Sequence, residues 1–241
     1  MVKVKTRSFQ KKLMSLCATQ GLIAHEDRVV VAVSGGKDSL VMLQALAESR
    51  SFVPITFRLS AVHIHPADIS LNQDREGLKA FCKDLDVPYT ELSVTTAQLP
   101  DKVNKGACFR CSWARRKALF THMEAIGARK LAFGHHMDDA VETLLMNMTR
   151  HGEVSSFPHR MNMRKGDFSI IRPLLAFTEQ EVIEYARLAS IVPFEGSCPH
   201  ESTNQREYYR SLLTQLERDN PAAKVNIFRS MKKIFPEHLP Q

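Results

Sequence analysis

Six consecutive residues, Ser34-Gly35-Gly36-Lys37-Asp38-Ser39, combine two glycines, two hydroxyls, a lysine and a carboxylate. Glycines let a backbone approach an anion closely, and the first amides of a helix point at it without internal partners. Ser34 and Ser39 add hydroxyl donors, and Lys37 adds a point charge. Such a segment suits electrostatic stabilisation of a departing phosphate group. It is not the common Gly-Lys-Ser/Thr loop, because Asp38 follows Lys37 and Val31 stands where that pattern needs its first glycine. The spaced-glycine dinucleotide fingerprint is not met either. The bland alternative is a tight strand-to-helix turn.

Two further groups carry reactive side chains. Cys108 and Cys111 are spaced i, i+3, which puts both sulfurs on one face of a helix start. Helix N-terminal amides and Arg110, Arg115 and Arg116 would all favour thiolates there. A lone C-x-x-C fits zinc, a redox pair or simple packing. The chain has no second C-x-x-C for a closed four-cysteine zinc site, but Cys108, Cys111 and Cys198 with His200 or His122 would make a Cys3His one. Three thiolates and an open position also suit an iron–sulfur cluster with one unligated iron. The third group is Gly134-His135-His136-Met137-Asp138-Asp139. Carboxylates there could hold Mg²⁺ or orient a base. Asp138 competes as a helix N-cap, and His135 and His136 as backbone or capping partners.

These groups need a scaffold, and the periodicity supplies one. β-rich runs at 28–33, 55–65, 89–94, 130–134 and 168–172 alternate with helical patterns at 38–49, 72–86, 108–126, 138–149 and 178–189. Thr178 with Glu181 reads as a capping box. Strand–helix alternation predicts an α/β fold with a doubly wound, mostly parallel five-stranded sheet. The six-residue loop and the Gly134 motif then both follow strands, at the carboxyl edge where such sheets bind ligands. Residues 1–24 read as a basic helical segment, 25–190 as the core domain, and 191–241 as a loop carrying Cys198 and two closing helices at 204–219 and 221–233. Pro221 fits a first-turn position.

Composition bounds the rest. At 44% hydrophobic and 24% charged, the 241 residues have an ordinary globular make-up. No apolar run approaches a membrane span, and the five cysteines are too few and too scattered for a disulfide framework. Cys17 and Cys82 fall in amphipathic patterns and are expected as small buried hydrophobes. The acid-poor opening resembles a transit peptide, but one Arg in the first 25 residues argues against it, and a cytoplasmic location is the expectation. The net charge of +7 is matched by residues 102–130 alone, where eight basic residues face the single acid Glu124. A localised basic field suggests a polyanion such as nucleic acid, with a solvated helix face as its competitor.

The loop after VVVAV resembles the pyrophosphate loop of the N-type ATP pyrophosphatases, which adenylate a carbonyl oxygen and release AMP on substitution. With CFRCSWARR at 108–116, GHHMDDAVETLLMN at 134–147, the late Cys198 and NQREYYRSLL at 204–213, the chain resembles the TtcA/TtuA branch of PP-loop tRNA thiolases. The resemblance runs from about residue 25 to FPEHL at 235–239. It is nearer the tRNA 2-thiocytidine synthetase side, since the terminal zinc fingers of the TtuA type have no cysteines here. Some relatives carry a cysteine three residues before the late one, where this chain has Glu195.

What the resemblance implies is a Rossmann-like fold of the adenine nucleotide alpha-hydrolase type, and an enzyme replacing a nucleobase C2 oxygen with sulfur. ATP would bind at Ser34, Gly35, Gly36, Lys37, Asp38, Ser39 and Gly134. Mg²⁺ would sit on Asp38 and Asp139, and a [4Fe-4S] cluster on Cys108, Cys111 and Cys198. Ser34, Asp38, Arg115 and Asp139 are the expected catalytic set, with Arg115 as a cation whose competing role is phosphate or surface contact. Implied partners are tRNA and a cysteine desulfurase or other sulfide donor, without a membrane, in a monomer or homodimer. Three other readings remain open: an amide-forming ATP pyrophosphatase, a zinc-bearing RNA-binding protein without catalysis, and a desulfurase acting on small molecules.

Overall fold

The computed structural model describes residues 2–69, 72–95, 106–163, 167–194, 196 and 205–238. In chain order the elements are α1 (Val2–Thr19), β1 (Arg28–Ala32), α2 (Lys37–Ser49), β2 (Arg58–Pro66), α3 (Arg75–Asp84), β3 (Tyr89–Val94) and α4 (Ala107–Ile126). Then follow β4 (Lys130–Ala132), α5 (Met137–His151), β5 (Arg160–Met163), β6 (Phe168–Ile171), α6 (Glu179–Leu188), α7 (Gln205–Asp219) and α8 (Ala223–Ser230). A 3₁₀ turn at Pro236–His238 ends the described chain.

The sheet order is β3-β2-β1-β4-β6-β5. β1 pairs in parallel with both β2 and β4, so the chain winds outward in two directions from its first strand. The reversal of direction leaves a crevice at the carboxyl ends of β1 and β4. All five strands expected from the sequence are present. The sheet nevertheless has six strands, because β5 pairs antiparallel with β6 from Arg160↔Ile171 to Met163↔Phe168. β5 is a short edge strand, and three of its four residues are exposed. With one wet face and no partner on its outer side, it lacks the apolar run that marks the central strands.

Both faces of the sheet are buried, and this explains the unbroken Val29-Val30-Val31 run. Val29 and Val31 join Leu59 and Ala61 under α1, α2, α3 and α6, packed with Leu13, Cys17, Leu43, Leu78, Cys82, Val182 and Tyr185. Val30 turns the other way with Val62, Ile64, Leu131 and Ile170, under Leu119 and Met123 of α4. Cys17 and Cys82 are thus core residues, and burial raises their thiols to about 12 and about 11. The Thr178–Glu181 capping box starts α6 as expected, with Glu181 N–H donating to Thr178 Oγ1 (3.2 Å) and Thr178 N–H to Glu181 Oε2 (2.9 Å).

α8 begins two residues later than expected. Asn220 takes the Ala222 amide on its side chain and the Ala223 amide on its carbonyl, so Pro221 sits in a turn ahead of the helix. Among the described residues, no helix is long and apolar enough to cross a membrane.

Candidate active site

The phosphate loop folds on its own hydroxyls. Ser39 Oγ accepts from Ser34 N–H (3.2 Å) and donates to the Gly36 carbonyl (2.9 Å). Ser34 Oγ accepts from Gly36 N–H (3.1 Å). Gly35 has φ +91°, a conformation L side chains rarely adopt, so this position needs glycine. α2 starts at Lys37, and its first amides have no partner inside the helix, which leaves them directed at the crevice. Two other segments clamp the loop. Gln73 Nε2 donates to the Ser34 carbonyl (2.6 Å), and Phe194 N–H donates to the Gly35 carbonyl (2.8 Å).

The Gly134 motif approaches the same loop from β4. A Cβ on Gly134 would lie 3.0 Å from the Asp38 carbonyl and the Ser39 nitrogen, so a side chain there would push on the loop backbone. His136 caps α5, and Asp139 Oδ2 accepts from His136 N–H (2.9 Å). The His136 ring is buried among three carboxylates: Asp38 3.8 Å from Nε2, and Asp138 and Asp139 3.7 and 3.6 Å from Nδ1. Asp38 and Asp139 therefore face opposite ring nitrogens of one imidazole. Among the described residues, no three His, Cys, Asp or Glu side chains converge as a metal site.

Asp138 has a different task. Its buried carboxylate accepts from Glu179 N–H at the start of α6 (2.8 Å) and pairs with Lys224 of α8 (2.5 Å). Burial pulls the Lys224 ammonium down, but the Asp138 and Glu217 carboxylates more than reverse this and hold it above its ordinary value. Glu142, one turn on, pairs with Arg210 of α7 (3.1 Å). The acidic face of α5 thus latches the closing helices through Asp138 and Glu142, while Asp139 caps its own helix through the His136 amide.

Cys108 and Cys111 occupy the first turns of α4, the former exposed and the latter half-buried. Cys198, His200 and Glu195 lie outside the described residues. His122 is excluded as a shared ligand: it follows Cys111 by eleven residues of unbroken helix, about 16 Å along the axis. Arg115 lies one turn beyond Cys111 and is half-buried. Its charge reaches His63 on β2, where burial first and Arg115 in addition lower the imidazole pKa. His63 Nδ1 in turn lies 2.8 Å from the Val33 carbonyl, immediately before Ser34. The cysteine helix packs on β2 through Leu119 and Met123, and His63 of β2 meets the base of the phosphate loop.

A family model described as a PP-loop domain matches residues 5–217. The tRNA-cytidine(32) 2-sulfurtransferase of Pseudomonas putida is 32% identical, over 99% of this chain and 89% of that protein. Its counterpart from Geobacter sulfurreducens is 35% identical, over 91% and 86%. The chain belongs to the PP-loop family, among the tRNA-cytidine 2-sulfurtransferases. Among solved structures, the U34-tRNA thiolase NcsA from Methanococcus maripaludis, described with its [4Fe-4S] cluster, superposes with a TM-score of 0.73. It is 24% identical, over 96% of this chain and 80% of that one, and shares the fold.

Several residues around the PP-loop were not marked by the sequence. Lys37 Nζ pairs with Asp38 (2.5 Å) and also reaches Glu179 of α6 (3.5 Å), so a carboxylate far along the chain helps hold the loop lysine. Gln73, Phe194 and His63 belong to no motif; the His-Ile-His run closing β2 was the one available signal for His63. The basic field also changes shape. Arg110, Arg116 and Lys117 are exposed on α4, beside the exposed Phe109 and Trp113, and Lys117 lies over the Trp113 ring (5.1 Å). Lys130 is buried on β4, its pKa lowered by that burial, so it adds little to any surface field. Lys102 and Lys105 lie outside the described residues.

Proposed function

We propose that this chain is an ATP-dependent tRNA sulfurtransferase that adenylates the C2 carbonyl of a cytidine and replaces its oxygen with sulfur, at position 32 as in its named relatives. The observation that carries this reading is the linkage of the cysteine helix to the PP-loop. The helix that carries Cys108 and Cys111 packs on β2, and His63 of β2 lies 2.8 Å from the carbonyl of Val33, immediately before Ser34. An ATP pyrophosphatase that used ammonia would have no need of that cysteine pair.

In the first step the nucleobase O2 attacks the α-phosphorus of ATP and pyrophosphate leaves. Ser34, the loop amides and Lys37 bind the developing charge, and their preorganisation by Ser39, Gln73 and Phe194 lowers the reorganisation cost. Asp38 and Asp139 would hold the Mg²⁺ that accompanies ATP, an oxygen-rich and partly open donor set of the kind Mg²⁺ uses. AMP then departs with the original oxygen when sulfur takes its place at C2. Arg115 stabilises negative charge near this centre. The target base must leave its stack or already lie in a loop.

Two of the three proposed ligands have the chemistry and the spacing a cluster needs. Cys108 and Cys111 share one helix face, and the chain leading to Cys198 is tied to the PP-loop by the Phe194–Gly35 bond. When bound there, a [4Fe-4S] cluster on these three thiolates would supply sulfide from an iron without a protein ligand. The sulfur itself comes from a cysteine desulfurase or other sulfide donor.

Mass spectrometry of tRNA nucleosides tests the reading. Cells lacking the gene are expected to lose 2-thiocytidine. The wild-type gene should restore it, and Ser34→Ala or Cys108→Ala should not. An unchanged thionucleoside profile in the deletion strain refutes the function.

A further inference from the structure

The two halves of α4 differ. The second half is packed: Leu119 and Met123 are buried with Val62, Ile64 and Ile170, and the Phe120 ring lies 4.8 Å from that of Phe168. In the first half, none of residues 108–117 is buried. Local rules do not favour a helix there. The opening turn has no acid and no side-chain cap, and Arg110 puts a cation at the positive end of the dipole. A helix kept against its local preferences points to a use outside the fold.

The charge in this half is one-sided. Arg110, Arg116 and Lys117 are exposed, and the single acid of α4 is Glu124, seven residues beyond Lys117. Among the described residues, none of these three cations has a carboxylate partner.

Trp113 stands among them. It is the chain's single tryptophan, and it is 36% exposed. Arg110 lies three residues before it, and Arg116 and Lys117 three and four after it. Those are the spacings of neighbours on a helix surface, with Cβ atoms about 5–6 Å apart. The Lys117 ammonium is 5.1 Å from the indole centroid, a cation–π contact that is weak at an exposed site and open to exchange. Phe109, four residues before Trp113, adds a second exposed ring. Cys108, Cys111 and Arg115 follow a different face, since residues two apart, such as Cys111 and Trp113, do not point the same way.

An exposed indole ringed by unpaired cations suits a partner that is anionic and planar at once. A simple polyanion would use the cations and leave the ring wet. A protein interface would add aliphatic contacts, and residues 108–117 contain no Leu, Ile, Val or Met. A nucleic-acid strand offers base faces and phosphates together, and it binds through aromatic side chains set among basic ones.

We propose that this outer face of α4 is a stacking platform for an unpaired base of the substrate tRNA, other than the base that reacts. The base lies on Trp113, and its flanking phosphates meet Arg110, Arg116 and Lys117. The assignment rests on the tRNA reading above. It gives one helix two faces, one carrying the cysteines and one gripping the strand.

Trp113 is its own reporter, because no other tryptophan contributes fluorescence. Titration of the full-length protein with transcribed tRNA should quench its emission. Inorganic polyphosphate, which carries charge without bases, should leave the emission largely unchanged. Trp113→Ala should weaken tRNA binding by about five- to 150-fold, as the loss of one stacked base implies, and Trp113→Phe should keep most of the affinity. Lys117→Gln should flatten the salt slope by about 0.7, one single-strand phosphate contact. ATP affinity, iron content and Tm in Trp113→Ala should match the wild type. Unchanged tRNA affinity in Trp113→Ala overturns the proposal, and so does tRNA binding without a change in emission. Quenching by polyphosphate equal to that by tRNA would make the face a general polyanion site. A Trp113→Ala protein that binds tRNA normally and loses only sulfur delivery from a cysteine desulfurase would make it a protein-docking face. Either result also overturns the proposal. A wild-type protein that binds no tRNA overturns the sulfurtransferase reading itself.

Discussion

The two adjacent carboxylates Asp138 and Asp139 should separate cleanly into stability and chemistry. Asp138→Ala removes an acceptor that is 5% exposed and serves both the Lys224 ammonium and the Glu179 amide. Hydrogen bonds to charged groups contribute about 1.5–3 kcal/mol each, and breaking a buried pair costs about 3–5 kcal/mol. Lys224 keeps Glu217 at 3.1 Å as a second partner, which lowers the cost. A loss of about 3 kcal/mol is therefore expected, which for a domain of this size corresponds to a Tm lower by about 6–12 °C. Asp139→Ala gives up the cap on His136, worth about 1 kcal/mol, or about 2–4 °C. Calorimetry and single-turnover thiolation of tRNA, both run well below the lower melting point, measure the two effects. Asp138→Ala should melt early yet retain most activity, and Asp139→Ala should melt nearly as wild type and lose thiolation. If Asp138→Ala melts with the wild type while losing activity, its carboxylate serves chemistry and the latch assignment is wrong.

Other expectations concern the cysteines, the loop and pH. Protein purified anaerobically should carry roughly four irons per chain. Cys108→Ser and Cys111→Ser should abolish the iron with little change in Tm. Cys17→Ser and Cys82→Ser should keep the iron and lower Tm, because each puts a hydroxyl into a fully buried site; loss of iron in either of these would identify a different ligand set. Gly134→Ala places a Cβ 3.0 Å from the loop backbone, and such overpacking costs about 1–3 kcal/mol. Calorimetric ATP affinity should drop about tenfold, and an unaltered Kd would show that the loop yields. Burial depresses the folded-state pKa of His63 and His159 below the unfolded value of 6.5, so the stability they contribute is present above 6.5 and is lost as pH falls through the folded values. The urea midpoint should therefore fall on acidification below that point, and less steeply in His159→Gln; identical slopes would count against buried neutral histidines.

Much of the fold follows from local pattern. The five strands expected from periodicity, their alternation with amphipathic helices, the capping box at Thr178 and the phosphate loop are all set by short stretches of chain. Periodicity and glycine placement act over a few residues and need no long-range partner. The assembly of Ser34–Ser39, Gly134 and Asp139 also follows from the sequence, because each motif ends a parallel strand and such ends share one edge of the sheet.

The tertiary structure decided the rest. The edge strand β5 exists because β6 offers it a ladder, and nothing in Arg160–Met163 alone requires it. The division of labour between Asp138 and Asp139 depends on Lys224 and Glu179, which lie 86 and 41 positions away in the chain. Lys130 reads as part of a basic surface until strand pairing buries it. Gln73, His63 and Phe194 become supports of the PP-loop only once β2 and the segment after α6 converge on it. Local sequence determines which groups a segment can offer; burial and charge pairing, which depend on distant neighbours, determine what those groups do.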